Sequence, residues 1–365
     1  MSTIVIASGG TGGHLYPTIA VAEAIRDSHP EIRIVFVGTK NRIESREVPR
    51  LGFEFFPIEI AAPGRSLGSL AKFPLQYYKA FRRSKQILEE VNAEVFLGGG
   101  AYLSVPVAFA AKRRGIPIAL LEINAVAGRA NRVIAKDATK IFVSYKESIT
   151  QFPSGVEALT QVIGTPVRDG ILKPIDVATA RSHFGLDPNR KTLLVFGGSL
   201  GARSLNAAMK ACAQSFLDAG MNVIWQTGSS ENADALRSQY ADPSRICIRE
   251  FISEMPEAYA ASDLVVCRAG ASTLAEISTL GKPAILIPYP LAAMNHQEKN
   301  AIAYRERGAA LVITDSAIAA ELSGAVRSLM GDDATRATMA KKMLASENIT
   351  ARNVVADYLI AQLRI

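Results

Sequence analysis

The first stretch whose residues could do chemistry contains four glycines in five positions and ends at His14. It follows an apolar run, Thr3–Ala7, that predicts a buried strand, and it precedes a predicted helix over 17–26. Glycines allow a ligand close to the backbone, and an imidazole at a helix start could take a proton from a reacting hydroxyl. The spacing matches neither the dinucleotide fingerprint nor a P-loop. The alternative interpretation is a tight turn with a capping histidine.

A second stretch, Arg268–Ala271, forms a predicted turn after the apolar run Leu264–Cys267. A helix is expected from Ser272 to about residue 280, so the N–H groups of residues 270–273 would be open to an anion. Glu276 lies one turn further along and could accept hydrogen bonds from the two hydroxyls of a ribose. The alternative is an ordinary surface glutamate on a helix.

Three further loops follow apolar runs, at 98–102, 122–128 and 197–203. Loops at the carboxyl ends of parallel strands bind ligands in doubly wound sheets. The loops at Gly10, Gly99 and Asn124 are therefore expected to face one crevice. The loop at 197–201 lacks a P-loop lysine, but its amides and Ser199 could hold a diphosphate.

The order of the elements predicts the fold class. A strand, a glycine loop and a helix occur at the start of the chain and again about 190 residues later, which indicates a second domain of the same architecture. We expect an α/β protein with two Rossmann-like parallel-sheet domains, covering residues 1–165 and 166–340. The last segment, about 341–365, is expected to be helical and to pack back on the first domain.

Composition narrows the classes of protein. The chain has 365 residues, of which 48% are hydrophobic and 21% charged, as in a globular protein. No apolar run approaches the length of a membrane span, and no histidine or cysteine spacing suggests a metal site. The net charge of +7 favours a polyanionic partner or an anionic membrane, and no nucleic-acid-binding motif is found. Three scattered cysteines fit reduced thiols in a cytoplasm: Cys212, Cys247 and Cys267.

The segment from Pro63 to Leu88 mixes basic, aromatic and aliphatic residues. This pattern is typical of a helix that lies on an anionic membrane surface. The alternative is an amphipathic helix packed on the sheet with a solvated basic side. The predicted membrane-facing residues are Leu70, Lys72, Phe73, Lys79, Phe81 and Arg82.

Seven short motifs, taken together, resemble the MurG family of N-acetylglucosaminyltransferases, which have the two-domain GT-B fold with the domains facing a cleft. The resemblance covers nearly the whole chain. The motifs are GGTGGHLYP (9–17), GGGAYLS (98–104), EINAVAGRAN (122–131), GTPVR (164–168), GGSLGARSLN (197–206), CRAGASTLAEI (267–277) and NHQEKNA (295–301).

The resemblance implies transfer of N-acetylglucosamine, with inversion, from UDP-N-acetylglucosamine to the 4-hydroxyl of an undecaprenyl-pyrophosphoryl-N-acetylmuramyl pentapeptide (lipid I). That step belongs to peptidoglycan synthesis, hence to cell shape and division, at the cytoplasmic face of the bacterial inner membrane. It implies no cofactor and no metal. His14 is the first candidate for the base and Glu122 the second. The implied donor-binding residues are Thr11, Gly12, Gly13, Asn124, Arg168, Ser199, Ile252, Arg268, Ala271, Ser272, Thr273, Glu276, His296 and Gln297, and the implied acceptor-binding residues are Gly10, Gly99, Gly100 and Tyr102.

The chain departs from the family pattern at Leu121, Ile123 and Met294, where many members carry polar residues. We expect these changes to remove polar groups from the acceptor and sugar side while leaving the nucleotide side intact. One alternative is therefore a GT-B transferase that uses another UDP-sugar or lipid acceptor, and a UDP-sugar epimerase is a more distant one. A non-catalytic UDP-sugar-binding protein is a third, and a nicotinamide dehydrogenase is disfavoured because its fingerprint is absent.

Overall fold

The computed structural model describes residues 2–61, 67–198, 201–292, 295–344 and 350–364, and for residues 67–72 it describes the helical backbone alone. The chain forms two compact units. Unit 1 comprises residues 1–169 together with 348–365, and unit 2 comprises residues 170–347. Both are α/β units with a parallel sheet, which confirms the predicted fold class.

Unit 1 is built on a seven-stranded sheet in the order β3-β2-β1-β4-β5-β6-β7. The central strands β1, β4 and β5 are completely buried. They read as continuous apolar runs because helices cover both faces of a parallel sheet. The strands are β1 (Thr3–Ala7), β2 (Arg33–Thr39), β3 (Glu54–Ile58), β4 (Val95–Gly98), β5 (Ile118–Glu122), β6 (Lys140–Val143) and β7 (Thr160–Val162).

The helices of unit 1 pack on this sheet, and the last one comes from the carboxyl terminus of the chain and contacts α1. They are α1 (Gly12–Ser28), α2 (Glu44–Arg50), α3 (Leu67–Glu90), α4 (Ser104–Arg113), α5 (Arg129–Ile134) and α15 (Ala351–Ala361), and a short helix, α6 (Asp169–Leu172), begins at the end of the unit.

Unit 2 has a six-stranded parallel sheet in the order β10-β9-β8-β11-β12-β13. Its strands are β8 (Thr192–Phe196), β9 (Asn222–Gln226), β10 (Ile246–Arg249), β11 (Leu264–Cys267), β12 (Ala284–Leu286) and β13 (Ala310–Val312). Its helices are α7 (Val177–His183), α8 (Arg203–Asp218), α9 (Ala233–Arg237), α10 (Met255–Ala261), α11 (Ala271–Thr279), α12 (His296–Glu306), α13 (Ile318–Gly331) and α14 (Asp333–Leu344).

The strand orders locate the ligand-binding edge of each unit. In unit 1 the chain adds β2 and β3 on one side of β1, and it adds β5, β6 and β7 on the far side of β4. In unit 2 it adds β9 and β10 beside β8, and it adds β12 and β13 beside β11. In open parallel sheets, ligands bind beside such a reversal, at the carboxyl ends of the strands. The glycine loops after these four strands therefore lie at the expected binding edges.

One sequence expectation needs correction, and one strand was missed. Helix α1 begins at Gly12 rather than Pro17, so Pro17 lies inside the helix and not in its first turn. Two of the glycines expected in the loop thus belong to the helix start, where their N–H groups have no intrahelical acceptor. Strand β6 was not predicted from the sequence. No helix in the described ranges is long and apolar enough to cross a bilayer.

Candidate active site

The loop after β1 has a backbone that only glycine adopts readily. Gly9 and Gly10 have φ angles of 148° and 81°, and a Cβ at Gly9 would lie 2.3 Å from the Glu44 carboxyl carbon. The loop is closed by the Ser8 hydroxyl, which donates to the His14 carbonyl at 2.7 Å. Thr11, in extended conformation, precedes the first turn of α1, which contains Gly12 and Gly13. The loop therefore presents His14 at a fixed position on the first turn of a helix.

His14 has a defined tautomer when neutral. Its Nδ1 lies 3.0 Å from the Gly99 carbonyl oxygen. A carbonyl can only accept, so Nδ1 carries the proton and Nε2 keeps its lone pair. Gly100 lies next to the same ring, since a Cβ added there would be 3.3 Å from Nδ1. The loops after β1 and β4 thus orient an imidazole whose second nitrogen can act as a base.

Glu122, the second candidate base, is 1% exposed and holds a loop together. Its Oε1 accepts from the Asn124 main-chain N–H at 3.0 Å and from Asn124 Nδ2 at 3.1 Å. Its Oε2 accepts from Gly128 N at 2.7 Å and from Asn131 Nδ2 at 3.0 Å. Both carboxylate oxygens are engaged by N–H donors, so this arrangement favours a structural role over proton abstraction. It also turns the Asn124 amide nitrogen inward and leaves its oxygen as the group available to a ligand.

Leu121 and Ile123 are 1% and 3% exposed, which corrects the expectation that they alter the ligand side of the loop. They precede and follow Glu122 in the sequence, and their apolar side chains contribute almost nothing to the accessible surface. The third departure, Met294, lies outside the described residues. The altered motif therefore gives no structural support to a different acceptor or sugar.

Glu44 was not predicted, and it is completely buried beneath the glycine loop. Its Oε2 accepts from Gly10 N at 3.0 Å, and its Oε1 accepts from the N–H and hydroxyl of Thr39 at 3.0 and 2.6 Å. The Gly10 N–H is therefore occupied by the protein's own carboxylate, which disfavours the predicted role of this N–H in binding the acceptor. No sequence pattern could reveal this pairing, because it joins residues 34 positions apart.

The remaining predicted positions of unit 1 border the same edge. Tyr102 is half-buried beside Gly10, and burial raises the pKa of its phenol, so the hydroxyl stays neutral. A Cβ at Gly99 would lie 2.6 Å from the Ser8 hydroxyl oxygen, so that position requires glycine. Arg168 belongs to unit 1, where its guanidinium carbon lies 4.1 Å from the centre of the Tyr16 ring.

In unit 2, helix α11 begins at the edge beside β11. Gly270 precedes it in extended conformation, and no side chain caps the helix. Ala271 is buried and Ser272 and Thr273 are half-buried in its first turn, whose N–H groups lack intrahelical acceptors. This end carries the positive pole of the helix dipole and suits an anion.

Glu276 is 8% exposed and lies on the second turn of α11. The Tyr259 hydroxyl donates to its Oε2 at 2.8 Å. Tyr259 is itself fully buried, so the bond fixes the direction of the carboxylate. The sequence suggested Glu276 but not its partner, which lies 17 residues earlier in α10. The carboxylate is therefore held by the core and is not an ordinary surface glutamate.

Arg268 was predicted to bind the donor, but its guanidinium is engaged within the protein. It pairs with Asp315 at 2.6 Å, and it donates to the carbonyls of Ile287 and Pro288 and to the Ser204 hydroxyl. Its side chain is 10% exposed. These contacts join the ends of β11 and β12 to the segment after β13 and to α8, so they favour a structural role.

Gln226 links two predicted donor-binding segments and was missed from the sequence. Its Nε2 donates to the Gly198 carbonyl at 3.0 Å, and its Oε1 accepts from the Ile252 N–H at 2.8 Å. The amide at the end of β9 thus connects the loop after β8 with the loop after β10. Because the Ile252 N–H is already engaged, the Ile252 carbonyl is the main-chain group that could accept a hydrogen bond from the uracil of UDP. Ser199 lies outside the described residues.

The last predicted donor residues begin helix α12. His296 and Gln297 are half-buried in its first turn, after Asn295 in left-handed conformation. Gln297 Oε1 accepts from the Tyr289 N–H at 3.0 Å, so it ties α12 to the loop after β12. These two side chains are thus placed at the same edge of the sheet as α11.

The exposed side of α3 differs in part from the predicted membrane face. Lys79 and Arg82 are exposed and have no ion-pair partner in the described part of the chain. Phe73 is half-buried against Tyr77, whereas Phe81 packs on the core with Arg113 over its ring. The side chains of Leu70 and Lys72 lie outside the described residues. The exposed apolar residues are Leu75 (60%) and Tyr78 (56%).

Two family models match successive parts of the chain. The glycosyltransferase family 28 N-terminal domain matches residues 4–143, and the family 28 C-terminal domain matches residues 192–354. A crystal structure of Acinetobacter baumannii MurG superimposes with a TM-score of 0.70 at 25% identity, covering 99% of this chain and 100% of that one. These matches confirm the predicted GT-B fold.

Two curated relatives cover almost the full length. The proteins from Chlorobaculum tepidum and Geobacter sulfurreducens are each 38% identical to this chain, with 98% and 99% of both chains covered. Both are named UDP-N-acetylglucosamine–N-acetylmuramyl-(pentapeptide) pyrophosphoryl-undecaprenol N-acetylglucosamine transferase. The resemblance read from seven short motifs is therefore confirmed over the whole chain, which belongs to the MurG family of glycosyltransferases.

Proposed function

We propose that the protein transfers N-acetylglucosamine from UDP-N-acetylglucosamine to the 4-hydroxyl of the muramyl sugar of lipid I. The new bond joins the acceptor oxygen to the anomeric carbon, and the bond from that carbon to the diphosphate breaks. The hydroxyl proton goes to a base and the electron pair leaves with UDP. Attack opposite the leaving group inverts the anomeric configuration.

The base in this proposal is Nε2 of His14. The observation that carries the assignment is the contact of Nδ1 with the Gly99 carbonyl, which leaves the lone pair on Nε2. A positioned base of this kind contributes about 10²- to 10⁴-fold to a rate. Glu122 is then a structural residue, since four N–H donors already engage its two oxygens.

Unit 2 supplies the nucleotide side. Glu276, held by Tyr259, would accept hydrogen bonds from the ribose hydroxyls. The Ile252 carbonyl would accept a hydrogen bond from the uracil. The N–H groups at the start of α11 would meet the diphosphate and stabilise the charge that it gains on leaving. Thr11, Gly12, Gly13, Asn124, Arg168, His296 and Gln297 remain proposed donor contacts, and Gly99, Gly100 and Tyr102 remain proposed acceptor contacts.

Association with the cytoplasmic face of the inner membrane is part of the proposal, because the acceptor is a lipid. Helix α3 presents Leu75 and Tyr78 beside Lys79 and Arg82, all four exposed. Apolar side chains flanked by cations suit an interface with anionic lipid. Phe81 is half-buried against the core, so this face is narrower than the sequence predicted.

The reaction is tested by UDP release from UDP-N-acetylglucosamine, with and without a soluble lipid I analogue. We expect release that depends on the acceptor and falls when UDP-glucose or UDP-galactose replaces the donor. Release of equal rate without acceptor would contradict transfer. Faster release from another UDP-sugar would point to the alternative transferase, and tight UDP binding with no turnover would favour the non-catalytic alternative.

A further inference from the structure

A buried carboxylate below the loop after β1 has no place in the mechanism described so far. Glu44 is 0% exposed and has no ion-pair partner among the described residues. Removing a carboxylate from water without a cation is unfavourable unless strong hydrogen bonds compensate. The hydrogen bonds of Glu44 must therefore compensate for its burial, and the groups that donate them are held in place by the carboxylate.

The bonds of Glu44 connect two strand ends. One carboxylate oxygen accepts from the N–H and hydroxyl of Thr39, the last residue of β2. The other accepts from Gly10 N, in the loop after β1. Charged acceptors form stronger hydrogen bonds than neutral ones. The glycine loop is thus fastened to the neighbouring strand through a single side chain.

The shape of the loop depends on this support. Gly9 and Gly10 both have positive φ angles, and glycine has the largest conformational freedom of any residue. Gly9 and Gly38 leave space for the Glu44 side chain, since a Cβ at either position would lie within 2.6 Å of it. Without the carboxylate, the glycines would sample other conformations. His14 follows four residues later and shares the loop through the Ser8 bond to its carbonyl.

We infer that Glu44 is a positioning residue for the transfer reaction, because it holds the Gly9–Gly13 loop in the shape that sets His14 against the acceptor hydroxyl. This inference rests on the proposed function. Its negative charge also makes the Gly10 side of the loop suited to a neutral hydroxyl rather than to a pyrophosphate.

The test compares Glu44→Gln with Glu47→Gln. Glutamine keeps the shape at position 44 but places an NH₂ group against one of the N–H donors. Glu47 is a matched control, since it is 7% exposed on the same short helix but pairs with Arg50 and has no bond to the glycine loop. We expect Glu44→Gln to lower kcat/KM for the soluble acceptor analogue by about 10- to 100-fold. The dissociation constant for UDP should not change in either variant.

Hydrogen exchange of the peptide covering residues 8–14 provides a readout that needs no catalysis. We expect faster exchange in Glu44→Gln than in the native protein and Glu47→Gln. If native protein shows no transfer but the exchange difference appears, the proposed reaction fails while the support of the loop by Glu44 stands. The inference is overturned if Glu44→Gln and Glu47→Gln show the same exchange rate and the same kcat/KM for the acceptor. This holds whether both variants behave like the native protein or both are impaired to the same extent.

Discussion

The two units hold their binding-edge loops with side chains of opposite charge. In unit 1 the buried carboxylates Glu44 and Glu122 accept main-chain N–H groups from the loops after β1 and β5. In unit 2 the guanidinium of Arg268 donates to main-chain carbonyls and to Asp315. The first arrangement engages main-chain N–H groups, whereas the second engages main-chain carbonyls. Helices α1 and α11 both begin without a side-chain cap. The loops of unit 1 thus lie beside negative charge, whereas the loops of unit 2 lie beside a guanidinium that is paired with Asp315.

This contrast explains why a glycine-rich loop alone does not identify a phosphate site. Both units place such a loop after their first central strand. In unit 1 the Gly10 N–H donates to the Glu44 carboxylate, whereas in unit 2 the Gly198 carbonyl accepts from the Gln226 side-chain amide. The groups that hold the two loops therefore differ, although both loops are rich in glycine.

Substituting Glu122 should have the largest effect on stability. Glu122→Gln replaces one carboxylate oxygen with an NH₂ group and sets it against N–H donors inside a buried site. We expect the free energy of unfolding to fall by about 3 kcal/mol, measured by urea denaturation. Glu89→Gln is the control, because Glu89 is 65% exposed and its Arg114 contact is 3.7 Å long. A loss below about 1 kcal/mol would show that the loop does not depend on the carboxylate.

Glu276→Ala should affect ligand binding in unit 2 without affecting the loops of unit 1. Loss of a carboxylate that accepts two hydroxyls should weaken UDP binding by about 2–3 kcal/mol, or roughly 30- to 150-fold. Calorimetric titration with UDP measures this. The control is Glu257→Ala, because Glu257 is a half-buried glutamate in the first turn of α10 and belongs to none of the proposed donor contacts. Tyr259→Phe should give a smaller loss in the same direction, because the carboxylate would lose its fixed orientation. Native affinity in Glu276→Ala would remove this residue from the nucleotide site.

Charge reversal on α3 should weaken membrane binding by an intermediate amount. The double variant Lys79→Glu, Arg82→Glu removes two exposed cations, each worth about 1 kcal/mol near anionic lipid. We expect vesicle binding to fall at least about 30-fold in a flotation assay with anionic vesicles. The reversal Lys341→Glu, Lys342→Glu on α14 of unit 2 makes the same change in net charge. Equal losses in the two variants would indicate attraction by overall charge rather than a docking face on unit 1.

Unit 2 also contains a half-buried lysine, which predicts a pH dependence of stability. Burial lowers the pKa of Lys282 from 10.5 to about 8, although its Nζ donates to the Ser262 carbonyl. Below pH 8 the folded state carries a desolvated ammonium, which costs stability. Between pH 8 and 10.5 only the unfolded state keeps the proton, so the contribution of Lys282 to stability rises with pH in this window.

Lys282→Met should remove this rise, worth about 1–2 kcal/mol after allowance for partial exposure. Urea denaturation of native and variant protein at pH 7.5 and 10 gives the difference directly, because the titrating cysteines and tyrosines are common to both. Lys299→Met, an exposed position on α12, is the control. A difference that does not change with pH would contradict the assigned cause.

The sequence predicted local features well and long-range partners poorly. The strands, the glycine turns and the start of α11 are set by residues adjacent in the chain, and the MurG motifs lie in these turns. Gln226, Tyr259 and Glu44 were missed because each bonds to a residue 17 to 34 positions away in the chain. Leu121 and Ile123 were misread because position in a motif does not reveal which way a side chain points.

The central claim is that unit 2 binds the nucleotide and His14 of unit 1 removes the acceptor proton. A single-turnover measurement tests it most directly. Native protein, His14→Ala and the control His29→Ala are loaded with labelled UDP-N-acetylglucosamine and mixed with excess soluble lipid I analogue. We predict equal donor loading in all three and transfer slowed by at least about 10²-fold in His14→Ala alone. Transfer at the native rate in His14→Ala, or failure of that variant to hold the donor, would contradict the claim.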